Sequence, residues 1–154
     1  MTSVERDHIL SVLNDRDIEY SHITHEHIHT SEEAAEARNH ALHETVKSIL
    51  LKVENEFILC VLQGNKRVDF EVIKDILDTS SVRLANSNKV KEVTGCEIGS
   101  VPPFGPLLQV KTLVDRDVLD VQTVYGSCGT HTDSISFSPS VLPSIGCSVE
   151  SFSV

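Results

Sequence analysis

The chain has 154 residues, of which 40% are hydrophobic and 23% charged, and its formal net charge is −10 at pH 7. These values are ordinary for a globular protein, and no apolar run is long enough to span a bilayer. The early charges of MTSVERDHIL argue against a secretory signal, so we expect a cytoplasmic location. The acidic balance argues against non-specific nucleic-acid binding, which depends on Lys and Arg contacts to phosphate.

Two helices and an extended segment are predicted near the N-terminus. Residues 4–17 place their apolar side chains roughly on one helical face, with Ser3 as a candidate N-cap. An extended segment follows over 18–29. Thr30 and Glu33 have the spacing of a capping box, in which each side chain bonds the other residue's backbone N–H. We therefore expect an Ala-rich helix directly after Thr30.

The middle of the chain predicts a strand hairpin, a helix and a further short strand. The runs 45–53 and 56–63 have strand character and are separated by two residues, as in a hairpin. Asp69 is a suitable N-cap for an amphipathic helix over 70–77. The sequence SVRLA, at 81–85, predicts the short strand.

One more helix and three more strands complete the prediction. Asn86 or Ser87 opens the helix, and Gly95 lies where a C-cap glycine belongs. The strands are predicted over 107–115, 121–125 and 131–137. Because several strands follow one another directly, we expect an α+β fold. It would be a single compact domain over 1–154, with a mixed, barrel-like sheet and short flanking helices.

The cysteines are widely spaced and include no C-x-x-C pair, so neither a zinc ribbon nor a disulfide scaffold is expected. They are Cys60, Cys96, Cys128 and Cys147. Cys128 lies three residues before His131, but a thiol nucleophile needs a base beside it in space. A small apolar filler is the favoured interpretation of Cys128.

One interpretation of the stretch SHITHEHIH is a metal-binding site. On a strand, His25, His27 and His29 share one face, and three imidazoles can hold zinc in a catalytic site. Nothing in the stretch resembles H-E-x-x-H, and alternating polar residues are ordinary on an edge strand. Surface histidines are therefore favoured, and no metal or other cofactor is expected.

Lys47 is the first candidate for chemistry. It shares a strand face with Ile49 and Leu51, while Val46 and Leu50 lie on the opposite face, so neither face is polar. This pattern predicts a strand covered on both sides, where a lysine is costly unless its amine reaches a partner or a cavity. A lysine that extends its amine into solvent is the alternative.

His131 is the second candidate. Alternation in HTDSISF places it on the face of Ile135 and Phe137, whereas the other face, predicted to be solvent-facing, carries Thr132, Ser134 and Ser136. It closely follows Gly129, which permits close backbone approach. A hydrogen-bonded structural histidine is the alternative to a functional one.

The stretch GCEIGSVPPFGP, at 95–106, concentrates three of the seven glycines and three of the five prolines. Prolines fix φ and remove N–H donors, while glycines reach φ values that other residues avoid. Such a rigid turn can aim its remaining amides at a carbonyl oxygen or a phosphate. A stiff connector between helix and strand is the alternative.

The order of these features along the chain resembles the YbaK family. These are aminoacyl-tRNA editing domains related to the insertion domain of bacterial prolyl-tRNA synthetase. The resemblance runs from about Asp17 to Leu142. Its most specific pieces are Val-Lys-Ser at 46–48, the turn Gly99-x-x-x-Pro103-Phe104-Gly105, and the turn Ser127-x-Gly129 before the last predicted strand.

The resemblance implies hydrolysis of mischarged aminoacyl-tRNA in trans, with tRNA(Pro) carrying Cys or Ala, or a related pair, as substrate. An aminoacyl ester is already activated, so an oriented water and a stabilised oxyanion suffice, with help from the substrate's own ribose hydroxyl or thiol. Lys47 matches the family's signature lysine, which would bind the terminal phosphate or orient the ester carbonyl.

The same resemblance implies that the two turns form walls of the pocket for the aminoacyl group and the 3′-terminal adenosine. It assigns catalysis to Lys47 and to the backbone amides of Gly99 and Gly129. It assigns substrate binding to six further residues: Tyr20, Ser48, Pro103, Phe104, Ser127 and His131.

The expected partner is the acceptor end of tRNA, which needs few phosphate contacts. A local positive patch is available from Lys47, Lys52, Lys66, Arg67, Lys89 and Lys91. The resemblance also implies an aminoacyl-tRNA synthetase as a source of tRNA affinity, and no membrane partner. Two other classes of function stay open. One is a non-catalytic module that binds a nucleotide, aminoacyl-tRNA or protein in the same pocket, and the other is a metal-dependent hydrolase built on the histidine cluster.

Overall fold

The computed structural model describes residues 4–27, 30–38 and 40–154. The α-helices in these ranges are α1 (Val4–Asp15), α2 (Ser31–Arg38), α3 (Phe70–Leu77), α4 (Ser87–Thr94) and α5 (Val141–Ser144). The strands are β1 (Tyr20–Thr24), β2 (Val46–Val53), β3 (Glu56–Gln63), β4 (Val82–Leu84), β5 (Lys111–Asp115), β6 (Val124–Ser127), β7 (Asp133–Phe137) and β8 (Ser148–Glu150). None of the described helices is long and apolar enough to cross a membrane.

The strands form two sheets. One is antiparallel with the order β1-β7-β6, and the other is mixed with the order β4-β2-β3-β5-β8. In the mixed sheet β2 runs antiparallel to β3 and β4, while β5 is parallel to both β3 and β8. An isolated parallel bridge between Thr45 and Tyr125 joins the sheets. The predicted α+β class and mixed sheet are confirmed, and the described strands do not close into a barrel.

The two faces of the five-stranded sheet bury separate sets of apolar side chains. On one face, Leu50 and Val61 pack with Ile135 of the three-stranded sheet and with Ile9 of α1. On the other face, Leu51, Ile58 and Leu62 pack with Ile73 of α3 and with Phe152. Strand β2 is therefore covered on both sides, which agrees with the absence of a polar face in its sequence. Helix α1 thus contributes to the first set and Phe152 to the second, and the domain bounds 1–154 stay a prediction.

Helix boundaries follow the predicted caps. Thr30 Oγ1 accepts from Glu33 N at 3.0 Å and Glu33 Oε1 accepts from Thr30 N at 3.1 Å, which confirms the capping box of α2. Asp69 accepts from the first amides of α3, and Asn86 accepts from Lys89 N in α4. The predicted cap Ser3 lies outside the described residues.

The predicted strand over 107–115 is wrong in its first half. Residues Gly105–Leu108 form a 3₁₀ helix with Pro at its start, and β5 begins only at Lys111. Proline favours the first turn of a helix, and Gln109 ends this turn with a positive φ of 62°. The apolar run alone could not distinguish this turn from a strand.

The face assignment around β7 is also wrong at one position. Ser134, predicted to face solvent, is 2% exposed, and its Oγ lies 2.5 Å from His25 Nε2. Strand β7 lies between β1 and β6, and the side chain of His25, which follows β1, lies against Ser134. A buried serine is tolerated there because it has a hydrogen-bond partner.

A buried carboxylate fixes the C-terminal residues beside β5. Asp115 is 2% exposed and accepts hydrogen bonds from Phe152 N, Ser153 N and Ser153 Oγ, at 2.8, 3.1 and 2.7 Å. Phe152 then fills the core beneath α3. The α5 and β8 elements, which the sequence did not predict, lead the chain to this position.

A second buried carboxylate ties α1 and β1 to β7. Asp133 is 3% exposed and accepts from Arg6, His22 and Thr130, at 3.2, 2.6 and 2.6 Å. Burial opposes ionisation of this group, but the hydrogen bonds from Thr130, His22 and Arg6 outweigh it. Together they hold the pKa of Asp133 below its ordinary value.

This network predicts acid sensitivity. Because the pKa of Asp133 is lower in the folded chain, its contribution to stability is complete above the unfolded pKa of about 3.9 and is lost as pH falls through the folded value. D133N should lower the free energy of unfolding at pH 7 by about 1–3 kcal/mol and flatten its decline between pH 5 and pH 2. Urea unfolding at several pH values measures both effects.

A matched control is D117N. Asp117 pairs with Lys66 at 2.8 Å, but its side chain is 43% exposed, and exposed ion pairs contribute little. We expect D117N to change the free energy of unfolding by less than about 1 kcal/mol. Equal effects of the two variants would contradict the role given to Asp133.

Candidate functional site

The candidate site forms where two strands separate from one edge of β2. Strand β4 pairs with β2 only along Leu51–Val53, and β6 meets the chain at Thr45. The backbone of Ser48 faces this edge, because Leu50 O accepts from Ala85 N there and alternate residues of a strand point the same way. In the described part of the chain no strand pairs with β2 at Ser48 on this side.

A cavity of about 310 Å³ occupies this gap. Its walls are mostly apolar and include Leu50, Ala85, Val90 and Val101. The polar groups on its lining come from β2 and the residue before it, from the N-cap of α2 and from the two glycine turns, namely Thr30, Thr45, Lys47, Ser48, Gly99 and Ser127. A mainly apolar hollow with a few convergent polar groups is typical of a ligand site.

Lys47 reaches both a partner and the cavity. Its side chain is half-buried and lines the cavity, and Nζ donates to Gly64 O at 3.3 Å. Burial lowers the pKa of Lys47 because it disfavours the ammonium; Glu32 opposes this shift and Arg67 adds to it. The cation is thus held at the edge of an apolar hollow instead of extending into solvent.

The two glycine turns contact each other directly. Ser127 Oγ donates to Gly99 O at 3.1 Å, and Gly129 N donates to Ser100 O at 3.0 Å. Gly99 and Ser127 line the cavity, while Gly129 packs behind it against α1. The turns therefore form one continuous wall, of which Gly129 is the support.

Three other predicted substrate-binding residues lie outside the cavity lining. Phe104 is fully buried, with its ring 4.8 Å from that of Phe137, and Pro103 is buried beside it. The Tyr20 hydroxyl donates to Asn14 Oδ1 at 2.9 Å, at the junction of α1 and β1. These side chains hold the wall and the core in place.

His131 lies against the outer side of the first turn. Its Cε1 is 3.4 Å from the position that a Cβ on Gly99 would take, and its Nε2 lies 3.5 Å from Glu97 Oε2. Its ring centroid is 4.7 Å from that of His27. The structure thus places His131 next to the cavity wall but not on the lining.

The histidine cluster does not share a strand face at its described positions, because β1 ends at Thr24. His25 lies within hydrogen-bond distance of Ser134 and of Glu26 O, and His29 lies outside the described residues. Among the residues that the structure describes, no group of three His, Cys, Asp or Glu side chains is placed to hold a metal ion.

The cysteines are buried thiols. Burial raises the pKa of Cys60, Cys128 and Cys147 to about 12, so these groups remain protonated near neutral pH. Cys128 is fully buried, as expected for an apolar filler. The described lining of the cavity contains no Cys, His, Asp or Glu, so it supplies neither a strong nucleophile nor a carboxylate base.

A family model described as the aminoacyl-tRNA editing domain matches residues 25–144. The chain belongs to this family. The match confirms the resemblance seen in the sequence, and the matched region contains all the described cavity-lining residues.

Curated relatives of this editing domain include synthetases and a free-standing protein. The proline–tRNA ligase of Geobacillus sp. (strain WCH70) is 30% identical over 104 residues, which cover 68% of this chain and 18% of the ligase. The Multifunctional Ser/Thr-tRNA deacylase ProXp-y of Escherichia coli (strain K12) is 26% identical over 117 residues, which cover 73% of this chain and 70% of that protein. The editing domain thus spans about a fifth of the matched ligase.

Solved structures share the fold over nearly the whole chain. The hypothetical protein APE2540 has a TM-score of 0.88 and 27% identity, covering 96% of this chain and 99% of its own. A candidate trans-editing enzyme for prolyl tRNA synthetase has a TM-score of 0.85 and 24% identity, covering 100% and 99%. The second likeness is evidence for the fold alone.

Two features of the editing domain's cavity were not found from the sequence. Leu84 of β4 and Ile98 of the first turn are each 60% exposed and line the cavity. Thr45, at the start of β2, lines it too but is only 2% exposed. Solvent exposure of an apolar side chain and burial of a hydroxyl depend on packing, so neither has a sequence signal.

The basic residues around the editing domain are partly neutralised. Lys66 pairs with Asp117 at 2.8 Å, and Lys89 pairs with Glu92 at 3.1 Å. Lys52 lies over the ring of Phe57, with 5.8 Å from Nζ to the centroid. The predicted positive patch is therefore weaker than a count of its lysines indicates.

Substitution by alanine is expected to lower the free energy of unfolding by different amounts at the two turn glycines. Both have positive φ, 87° at Gly99 and 91° at Gly129, so alanine is strained at either position. A Cβ on Gly129 would lie 2.9 Å from Arg6 N, whereas a Cβ on Gly99 would meet His131 at an ordinary 3.4 Å. We expect G99A to lower the free energy of unfolding by roughly 1 kcal/mol and G129A by roughly 2–3 kcal/mol.

Urea unfolding of both variants measures this difference. Equal losses of unfolding free energy in G99A and G129A would show that α1 moves freely away from Gly129. That result would contradict the close packing of Gly129 against Arg6.

Proposed function

We propose that this protein is an aminoacyl-tRNA deacylase that acts in trans on mischarged tRNA. The observation that carries the proposal is the half-buried Lys47 ammonium at the edge of a cavity that the two glycine turns close. Membership of the aminoacyl-tRNA editing domain family supports it, as do relatives whose names describe tRNA ligation and deacylation.

The exposure of the lining residues gives the cavity a direction. Leu84 and Ile98, each 60% exposed, mark the mouth, and Thr45, 2% exposed, marks the floor. Lys47 and Ser48 have intermediate exposure, and we assign them to a depth between the two. We place the terminal nucleoside at the apolar mouth, the ester beside Lys47 and the amino-acid side chain at the floor.

The reaction needs charge stabilisation at the ester carbonyl. A water oxygen adds to the carbonyl carbon, the bond from that carbon to the ribose oxygen breaks, and the ribose oxygen takes up a proton. Free amino acid and uncharged tRNA result. The Lys47 ammonium and the backbone amide of Ser48, on the edge of β2 that no described strand pairs, are the groups proposed to stabilise the negative charge that develops on the carbonyl oxygen.

Water is the nucleophile in this proposal because the described lining offers no better one. Cys128 is buried and protonated, and Ser127 Oγ donates to Gly99 O, which ties the turns together. With no His, Asp or Glu on the described lining, we assign proton transfer to the substrate: the ribose hydroxyl beside the ester accepts a proton from the water as it passes its own to the departing ribose oxygen. Binding and orientation then supply the catalysis.

The finer assignments are proposals as well. The resemblance implies tRNA(Pro) carrying Cys or Ala, or a related pair, and a 310 Å³ cavity suits a small aminoacyl group of this kind. ProXp-y of Escherichia coli is named as a Ser/Thr-tRNA deacylase, which makes serine and threonine relevant alternatives. A synthetase partner would supplement the weak positive patch, and a cytoplasmic location remains a prediction.

Replacement of Lys47 tests the reaction. K47M keeps the apolar stem and removes a charge that burial disfavours, so we expect normal stability and a loss of deacylation of about 100-fold or more. Release of amino acid from tRNA(Pro) charged with cysteine, alanine, serine or threonine is the measurement. K52M is the matched control, because Lys52 belongs to the same strand but is not on the cavity lining.

The outcomes separate two classes of function. Activity lost in K47M and retained in K52M supports the deacylase. Wild-type protein that hydrolyses none of the charged tRNAs, yet binds them, would instead favour a non-catalytic binding module.

A further inference from the structure

Thr45 carries a hydroxyl that the fold does not use. The residue is 2% exposed, and its Oγ1 has no hydrogen-bond partner among the described residues. Its backbone is fully engaged, since Thr45 N donates to Leu42 O at 3.0 Å and Thr45 O accepts from Gly64 N at 2.7 Å. The chain is therefore held firmly at this point while the side-chain oxygen is left without a partner.

A buried hydroxyl without a partner lowers stability, and valine would fill the same space without that penalty. The other buried hydroxyls that the structure describes are paired. Thr94 Oγ1 donates to Val90 O at 2.6 Å, and Thr112 Oγ1 donates to Val110 O at 2.9 Å. The exception at Thr45 coincides with the lining of the cavity, which points to a ligand group as the missing partner.

The position of Thr45 indicates which part of a ligand it meets. Thr45 is the most buried of the polar residues on the described lining, and it lies two residues before Lys47 on the same strand face. If the ester lies beside Lys47, the group that reaches the floor is the amino-acid side chain. This step rests on the proposed function.

We propose that the Thr45 hydroxyl recognises the side-chain hydroxyl of a seryl or threonyl group, so that this deacylase prefers hydroxylated aminoacyl esters to alanyl esters. A hydroxyl both donates and accepts, so it pairs with a substrate hydroxyl in either sense. Of the described lining residues that share this strand face, Lys47 is assigned to the ester and Ile49 is apolar, so neither competes for the substrate side chain. An alanyl group would leave Thr45 unpaired, and sites built to bond a substrate hydroxyl discriminate strongly against substrates that lack it.

The experiment compares one tRNA(Pro) charged with serine or with alanine, so that the two substrates differ by a single hydroxyl. We expect wild-type protein to hydrolyse the seryl ester with a kcat/KM at least about tenfold higher. T45V removes the hydroxyl at nearly constant shape and should lower kcat/KM for the seryl ester by about 10–100-fold, with much less change for the alanyl ester. T45S keeps the hydroxyl and should retain the preference for serine.

Stability provides an independent readout. Because T45V removes an unpartnered polar atom, its Tm should equal or exceed that of the wild type. T112V is the matched control: it removes a paired hydroxyl away from the cavity, so its Tm should fall while the ratio of seryl to alanyl hydrolysis is unchanged. Should T45V fail to fold, T45A removes the same hydroxyl and serves the same comparison.

The results distinguish this inference from the proposed function. If the wild-type protein hydrolyses neither ester, both the proposed function and the role of Thr45 are overturned. Wild-type hydrolysis without a preference for serine, or equal losses on the two esters in T45V, would overturn the role of Thr45 and leave the deacylase standing. A seryl-specific loss with unchanged or higher Tm supports the assignment.

Discussion

The site depends on one constraint on strand pairing, namely that β2 meets two different strands along a single edge. β4 approaches one end of β2 as the partner of Leu51–Val53, and β6 approaches the other end from the second sheet. Both cannot follow β2 along its whole length, so they diverge and leave the edge at Ser48 open. Unpaired backbone groups inside a sheet are rare because they are costly, and they persist mainly where a ligand or water completes them.

The open edge determines what the other elements contribute. Lys47, which would be buried in an ordinary interior strand, lies instead where its ammonium reaches the hollow. The Gly- and Pro-rich stretch covers the gap from outside, and each of its glycines meets a separate demand. Gly95 ends α4 and Gly99 takes a positive φ, while a Cβ on Gly105 would overlap Thr112. The concentration of glycine and proline in this stretch thus results from the backbone conformations that one compact cavity wall requires.

Local signals in the sequence predicted most of the fold. The hairpin of β2 and β3 and the caps at Thr30, Asp69 and Asn86 depend on neighbouring residues, and the structure contains them. Features that depend on distant partners were missed. Strand β8 exists because it pairs in parallel with β5, and the buried Ser134 pairs with His25, which is distant in the chain.

The candidate site shows the same limit. The resemblance to the YbaK family identified Lys47, Ser48, Gly99 and Ser127, which the fold brings to one cavity. It could not separate residues that face the hollow from residues that support its wall, such as Gly129 and Phe104. The unpaired hydroxyl of Thr45 had no sequence signal at all, since threonine at the start of a strand is ordinary.

The hydrogen bonds between the two turns have a consequence for how such a pocket diversifies. Ser127 Oγ donates to Gly99 O, and Gly129 N donates to Ser100 O. These two bonds make the turns move as one rigid unit, although they are far apart in the chain. A substitution that shifts one turn must displace the other, so selection acts on the pair jointly. Evolutionary change in the width of the cavity is therefore restrained. New substrate specificities arise more readily from substitutions of side chains at the cavity floor than from movement of the cavity wall.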